Sequence, residues 1–289
     1  MRRPPAVVAL VAAALVFALM ALATKLAAAR LPGPQIAFIR FIFGLGACAV
    51  ARLRVPMRAR NKVGLLMRGA YGGAAVLFYF IAIAHLPVGI ATLLNYTAPV
   101  FTAVYAAAFL GEKITRGTLV ALALTSVGVA LVITGTAPAG TLVLGTWQLV
   151  GLVSAMLSGA AVATIREVRK TDGSWEIFAA FCLAGAAICA GPALRGWVQP
   201  RPLEWKILIL VGVFSVIGQL LMTHALRYVR AAVGGIIAQL TPVTSMVLGW
   251  MLFRDRLGGL ALGGAALTLA GVSVGAYLAS GREADPVDE

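Results

Sequence analysis

The sequence predicts an all-α integral membrane protein in which ten transmembrane helices form two inverted five-helix repeats around a central cavity. Two observations carry this prediction. The first is composition: 61% of the 289 residues are hydrophobic and only 12% are charged, and the mean hydropathy is +0.96, which lies outside the range of soluble globular domains. The second is an internal repeat of one proline-containing apolar segment, found at 95–99 and again at 238–242.

The number of helices follows from the length and spacing of the apolar runs. A spanning helix needs about 20 apolar residues, and short polar or basic segments separate ten such runs. The first run is too long for the apolar region of a secretory signal, so it is predicted to be an uncleaved helix. The acidic tail 281–289 is predicted to be a disordered cytoplasmic segment. The predicted helices are 4–29, 34–52, 64–85, 87–110, 114–134, 146–168, 174–194, 204–226, 230–253 and 257–280.

The distribution of basic residues predicts the orientation in the membrane. With the N-terminus inside, sixteen of the 24 Lys and Arg residues fall in inside segments, Arg68 among them, six fall outside, and Lys25 and Arg40 remain within helices. Cytoplasmic loops carry the excess of positive charge, so both termini are predicted to be cytoplasmic. The net charge of +14 is therefore interpreted as a topology signal, and nucleic-acid binding is not expected because no basic face lies outside the loops.

The two halves of the chain repeat each other. An offset of 140 residues pairs Phe38 with Phe178, and farther along an offset of 143 applies. The repeats are predicted at 4–134 and 146–280. Because five helices are an odd number, the second copy must cross the membrane in the opposite direction, which is the geometry of alternating access. The pairs at an offset of 143 include Pro99 with Pro242, Glu112 with Asp255, Thr125 with Thr268 and Gly128 with Gly271.

Pro99 and Pro242 lie in the middle of predicted helices 4 and 9. Proline removes a backbone donor and displaces the carbonyl four residues earlier, so both are predicted to be helix kinks that take part in gating. Asn95, Tyr96 and Gln239 lie beside these kinks and are predicted to line the cavity and bind substrate. Small and polar residues also gather where two helices pack, and the sequence leaves that alternative open.

Five further side chains are candidates for the substrate site. Tyr79 on predicted helix 3 and Gln219 on predicted helix 8 are candidates for the cavity, where an aromatic ring could stack on a solute, and ordinary core packing is the alternative. A cation within the bilayer is costly and points to a function, so Lys25 and Arg40 could hold a substrate carboxylate, although Lys25 could instead extend to the interface. His85 lies near a helix end, where an interfacial histidine is the alternative to a functional one.

Other kinds of chemistry have no support in the sequence. No Asp or Glu falls at a predicted mid-membrane position, so we expect flux to follow the solute gradient without coupling through a buried carboxylate. Cys48, Cys182 and Cys189 lie in apolar runs and do not indicate a disulfide framework. The sequence has no nucleotide-binding fingerprint and no metal-spaced His and Cys set. No cofactor, metal or catalytic residue is predicted, and a membrane-embedded enzyme or a helper subunit without flux is a minor alternative.

This pattern resembles the drug/metabolite transporter superfamily, in particular its ten-helix family of EamA domains. The resemblance rests on Pro99 followed by 111–113 (Gly-Glu-Lys), on Pro242 followed by 255–256 (Asp-Arg), and on a glycine-rich helix after each copy. The second copy departs from the pattern at Arg254, where glycine is usual. Members of the family export amino acids, other metabolites and drugs, and the chain is similar to the aromatic amino acid exporter branch.

The resemblance implies an exporter of small metabolites in the bacterial inner membrane, with aromatic or large apolar amino acids as the first expectation. A broad-specificity drug or nucleotide-sugar-like carrier is the alternative. Its expected partners are a small-molecule solute and membrane lipid. Because one chain already holds both repeats, a monomer is expected.

Overall fold

The computed structural model describes residues 6–85, 94–136, 145–253 and 258–280, and within these ranges every regular element is an α-helix. Asp255 and the tail 281–289, for which the sequence made predictions, lie outside the described residues. Ten helices are described when the interrupted ninth is counted as one. They are α1 (Ala6–Ala27), α2 (Gly33–Arg52), α3 (Lys62–His85), α4 (Ala98–Leu110), α5 (Arg116–Thr136), α6 (Thr146–Val168), α7 (Ser174–Arg195), α8 (Pro202–Ala225), α9a (Ala231–Ala238), α9b (Leu240–Phe253) and α10 (Gly259–Ser280).

The length and the apolar surface of the helices fit a lipid environment. Six of those described, α1, α2, α3, α6, α7 and α8, are long and apolar enough to cross a membrane, and the others are shorter apolar helices. Large hydrophobic side chains stay exposed on the outer surface of the bundle, such as Leu66 at 69%, Phe109 at 76% and Leu203 at 68%. A soluble protein would hide such side chains, whereas lipid leaves no reason to bury them.

Local sequence sets where several helices begin and end. Pro34 lies in the first turn of α2 and Pro202 begins α8, where a missing N–H costs nothing because it would have no partner in the helix. Gly111 ends α4 with a φ of 65°, in the left-handed region that a side chain disfavours. This requirement explains the glycine of the Gly-Glu pair that follows Pro99.

Reciprocal contacts between α5 and α10 confirm the inverted repeat. A Cβ built on Gly128 would overlap Oγ1 of Thr268, and one built on Gly271 would lie 2.7 Å from Cγ2 of Thr125. These four residues are the pairs found at an offset of 143, and each glycine faces the threonine of the opposite repeat. The same symmetry relates whole helices, since α1 packs on α8 as α6 packs on α3, while α2 meets α7 on the quasi-two-fold axis.

The helices that contain the two prolines are interrupted close to the residues whose carbonyls the prolines displace, Asn95 and Ala238. The ninth helix, predicted at 230–253, is interrupted at Gln239, and Pro242 lies in the first turn of α9b. In the first half Pro99 likewise lies in the first turn of α4, after a turn at Tyr96 and Thr97. Proline is tolerated there because the first N–H groups of a helix have no intrahelical partner. Each interruption lies within one turn before its proline, and a part of these two prolines in gating stays a prediction.

Polar clamps join the helix connections at both ends of the bundle. At one end the side chain of Gln35, fully buried, accepts from the Val198 N–H at 2.9 Å and donates to the Val198 carbonyl at 2.7 Å. At the other end the Asp172 carboxylate accepts the backbone N–H groups of Arg60 at 2.8 Å and Asn61 at 3.0 Å. Connections that would otherwise move independently are thus fixed to each other.

Candidate substrate-binding site

Arg40 places a positive charge among apolar side chains where α2 meets α7. It lies about two turns into α2, and Nη1 contacts Sδ of Met20 at 3.9 Å. Its Cζ is 4.9 Å from the ring centroid of Phe41 and 5.9 Å from that of Phe181, which are cation–π distances. Nε is enclosed without a hydrogen-bond partner. The guanidinium of Arg40, which the sequence predicted to lie within the membrane, therefore contacts two aromatic rings.

Arg68 brings a second guanidinium to the same ring. The residue is 3% exposed, and its Cζ lies 4.2 Å from the Phe181 centroid. Nη2 donates to Oε1 of Gln219 at 3.3 Å, while Nε is buried without a partner. Gly72, one turn farther along α3, leaves the room this requires, since a Cβ there would overlap Nη1 of Arg68.

The two arginines lack a counter-charge in the described ranges. Arginine keeps its charge in proteins. The two Cζ atoms lie 5.9 Å and 4.2 Å from the Phe181 centroid, so they are at most about 10 Å apart. At that separation two unit charges repel by about 1.7 kcal/mol at an effective dielectric constant of about 20. The described ion pairs are Arg30 with Glu204, Arg166 with Glu112 and Lys170 with Glu167, and none involves Arg40 or Arg68. An unpaired buried charge is strongly unfavourable, so the arrangement favours binding of an anion.

The acidic side chains stay away from this cluster. Those of the described ranges lie in connections or in the terminal turns of helices, which agrees with the predicted absence of a mid-membrane carboxylate for that part of the chain. They are Glu112, Glu167, Asp172, Glu176 and Glu204.

The ring pair beneath the arginines lies on the symmetry axis. Phe41 and Phe181 pack edge to face with centroids 5.0 Å apart and an interplanar angle of 88°. Their numbers differ by 140, the offset of the first helices of each half. Each half therefore contributes one ring to the interface between α2 and α7, and the guanidinium groups lie where the two halves meet.

Three predicted residues join the interrupted helices to their neighbours. Gln239 is fully buried, and its Nε2 donates to the carbonyl of Tyr96 at 2.9 Å. Tyr96 and Gln239 differ by the repeat offset of 143. Asn95 accepts through Oδ1 from the hydroxyl of Ser154 at 3.2 Å. In this conformation the three residues make contacts between helices, and their role toward substrate remains a prediction.

The other predicted residues lie apart from the two arginines, except Gln219. Tyr79 is half-buried with its ring centroid 5.9 Å from that of Phe80. Lys25 is exposed in the last turn of α1. His85 is exposed at the end of α3, where it stacks on Trp147 at 3.6 Å. Only Arg40 and Gln219 of the predicted set come together around Phe181.

Arg68 is the residue that sequence reasoning missed. It was assigned to the cytoplasmic excess of positive charge because it follows a run of basic loop residues. The signal that could have found it is helical spacing, since Arg68, Gly72, Ala75 and Tyr79 follow steps of three or four and share one face of α3. That face is buried or half-buried along its length, which predicts an inward guanidinium.

Glu112 forms a second polar centre, at the predicted cytoplasmic end. Its Oε1 accepts the N–H of Ala231 at 3.0 Å and lies 3.7 Å from Nε of Arg166. Arg166 also donates to the carbonyls of Leu226 and Arg227. The carboxylate thus joins the α4–α5 connection, the end of α6 and the start of α9a.

Inverted five-helix repeats with a polar centre between them define a polytopic membrane transporter. The model of the EamA-like transporter family matches residues 4–134 and 145–276, and the chain belongs to this family. The predicted resemblance to this family is confirmed.

Individual relatives agree with the family assignment. The pseudopaline exporter CntI of Pseudomonas aeruginosa is 30% identical over 268 residues, which cover 89% of this chain and 90% of the relative. A riboflavin transporter of Brucella anthropi is 26% identical over 255 residues, 84% of this chain and 88% of the relative. A solved crystal structure superposes with a TM-score of 0.82, covering 96% of this chain and 99% of its own, at 22% identity, which concerns the fold alone.

Proposed function

We propose that the chain exports amino acids with aromatic or large apolar side chains, and metabolites derived from them, across the bacterial inner membrane. In this proposal it works as a monomer by alternating access. The observation that carries it is Arg40, a cation within a spanning helix with Phe41 and Phe181 beside it. A fixed cation next to aromatic rings suits a solute with a carboxylate head and an apolar body.

The relatives support the direction and the size of the solute. One is named an exporter of pseudopaline and another a transporter of riboflavin, so small organic molecules are the cargo of related chains. The direction is supported by the relative that is named an exporter.

The mechanism follows from the contacts between the halves. The carboxylate of the solute replaces the missing counter-charge of Arg40, while the rings remove its side chain from water. Rocking of one half against the other then exchanges access between the two sides. The bond from Gln239 to the Tyr96 carbonyl crosses between the repeats, so we propose that it changes partner in that step.

Counterflow in proteoliposomes tests the proposal. Proteoliposomes that contain the purified full-length protein are loaded with unlabelled phenylalanine, tyrosine, tryptophan or leucine, and uptake of the same solute in labelled form is followed. We expect counterflow in wild type, a loss of about tenfold or more in Arg40→Gln, and reduced flux in Tyr96→Ala and Gln239→Ala. Arg54→Gln, at an exposed position, is the matched control and should behave as wild type. Absence of counterflow for every amino acid, or an unchanged Arg40→Gln, would overturn the proposal.

A broad-specificity carrier is the second candidate, and the riboflavin transporter among the relatives favours it. The same vesicles can be assayed with riboflavin, a lipophilic cation and a nucleotide sugar. Flux of these solutes without flux of amino acids would select this candidate.

A further inference from the structure

We infer that, among the proposed amino acids and the metabolites derived from them, the preferred substrates carry two carboxylates, one for Arg40 and one for Arg68, with the apolar body against Phe181. The inference rests on the proposed function and deepens it, because it assigns a second charged contact to the same site. It also gives the charge of Arg68 a partner, since none of the described ion pairs includes this residue.

The guanidinium groups of Arg40 and Arg68 both keep N–H donors without a partner among the described residues. Each guanidinium has five N–H donors and no acceptor. Arg68 uses one toward Gln219 at 3.3 Å, Arg40 makes one long contact to a thioether, and Nε of each is enclosed and unpartnered. A single carboxylate would satisfy one guanidinium and leave the other buried without a counter-charge, whereas two carboxylates satisfy both.

The two guanidinium groups share the ring of Phe181. Cζ of Arg40 lies 5.9 Å and Cζ of Arg68 lies 4.2 Å from the same Phe181 centroid. A small solute that enters between the two halves can therefore meet both cations with its hydrocarbon or aromatic part against the ring, which is 3% exposed in this conformation. A long or bulky dianion with widely separated charges does not fit this arrangement.

The two halves of the chain both contribute residues to this cluster. Both arginines come from the first repeat, on α2 and α3, whereas Phe181 and Gln219 come from the second, on α7 and α8. The Arg68–Gln219 bond crosses between the repeats, and a carboxylate on Arg68 would compete for that donor. Binding of a dicarboxylate is thus linked to the contact that joins the two halves.

A matched series of three probes tests the inference. Phenylsuccinate has two carboxylates, 3-phenylpropanoate has one and 3-phenylpropanamide has none. Binding to the purified full-length protein is measured by isothermal titration calorimetry. In wild type we expect phenylsuccinate to bind at least about tenfold more tightly than 3-phenylpropanoate, with the amide weakest.

Variants assign the second carboxylate to Arg68. In Arg68→Gln the preference for phenylsuccinate over 3-phenylpropanoate should disappear, and in Arg68→Lys, which keeps the charge, part of it should remain. Arg54→Gln removes an exposed arginine and should keep the full preference. Melting temperatures in detergent establish that each variant is folded, and Arg68→Lys carries the test if Arg68→Gln is not.

The results separate this inference from the proposed function. Equal binding of the two acids in wild type, no binding of phenylsuccinate, or a preference that persists in Arg68→Gln would overturn the dicarboxylate assignment. Counterflow of phenylalanine that depends on Arg40 would still uphold the proposed function. Tight binding of phenylsuccinate without counterflow of any amino acid would uphold the dicarboxylate site and move the cargo to dicarboxylates.

Discussion

At the scale of single residues, the position of the Arg68 guanidinium depends on Gly72 having no side chain. Its guanidinium occupies the space over Gly72 on the next turn of α3. Arg68 has three other fixed neighbours in the bundle, the Phe181 ring, Arg40 and the amide of Gln219. The position of the charge is therefore set by packing and is sensitive to one methyl group.

Gly72→Ala should displace Arg68 and weaken binding of phenylsuccinate by about tenfold. Binding is measured by calorimetry on folded protein. The control is Gly46→Ala on α2, where a Cβ meets nothing within 4 Å, and it should leave binding unchanged. Equal binding in Gly72→Ala and wild type would show that Arg68 does not need its present position.

Asp172 gives the fold a dependence on pH. Burial raises its pKa, but hydrogen bonds from Thr171 and from the backbone of Arg60 and Asn61 lower it more, so the pKa lies below the ordinary value of 3.8. Because the folded-state pKa is depressed, the stabilisation is fully present above the unfolded value and is lost as the pH falls through the folded one.

Asp172→Asn should therefore lower the free energy of unfolding by about 1–3 kcal/mol at neutral pH. The difference from wild type should stay constant from pH 7 to about pH 5 and shrink as the pH falls below 3.8. Thermal unfolding in detergent across this range measures it. A difference that grows on acidification would contradict the assigned hydrogen bonds.

At the scale of elements, α5 and α10 form a scaffold through close backbone approach. A Cβ on Gly271 would lie 2.8 Å from the Thr125 nitrogen and 2.9 Å from the Ala121 carbonyl oxygen. Backbone atoms cannot move aside as a side chain can, so nothing larger than glycine fits without separating the helices.

Gly271→Leu should lower the melting temperature and the folded yield, corresponding to a loss of about 3 kcal/mol. Gly263→Leu on the same helix is the control, since a Cβ there meets nothing within 4 Å. Fluorescence-detected size exclusion and thermal unfolding compare the two variants. The scaffold role of the helix pair would be wrong if Gly271→Leu matched the control in both measurements.

At the scale of the whole molecule, we expect Glu112 to hold the predicted cytoplasmic end closed, because its carboxylate joins three elements there. The side chains of Arg166 and Glu112 are 16% and 10% exposed, whereas those of the pair between Lys170 and Glu167 are 48% and 45% exposed. A partly buried pair contributes more than an exposed one. Losing about 1 kcal/mol would shift the balance between closed and open states about fivefold.

Glu112→Gln keeps an oxygen for the Ala231 N–H and removes only the charge, so it should open this end several-fold more often. A cysteine at Thr118, a residue 2% exposed on α5, reports opening through its labelling rate with an impermeant maleimide. Glu167→Gln should leave the rate unchanged. Faster labelling in Glu167→Gln, or an unaltered rate in Glu112→Gln, would argue against the closure.

Energy coupling is also a property of the whole molecule. Because the acidic residues of the described ranges lie at helix ends or in connections, the substrate gradient should drive flux without help from protons. Solute uptake in proteoliposomes should therefore be the same with and without an imposed pH gradient. Uptake that scales with that gradient would require a titratable group in the transport path.

The sequence by itself determined the crossings and their arrangement. Hydropathy depends on local composition, so the apolar runs were visible without the fold. The offset of 143 paired Gly128 with Gly271 and Thr125 with Thr268, and the structure shows that these residues meet between α5 and α10. The intramembrane charge of Arg40 could be predicted for the same reason. A cation inside an apolar run stands out in the chain itself.

Tertiary structure alone decided what surrounds the charges. Arg68 was counted with the cytoplasmic excess of positive charge, yet it meets Gln219, 151 positions away, and shares Phe181 with Arg40. A linear pattern specifies which face of a helix is buried, but which residues meet depends on packing between distant segments, and that packing creates the paired cationic site.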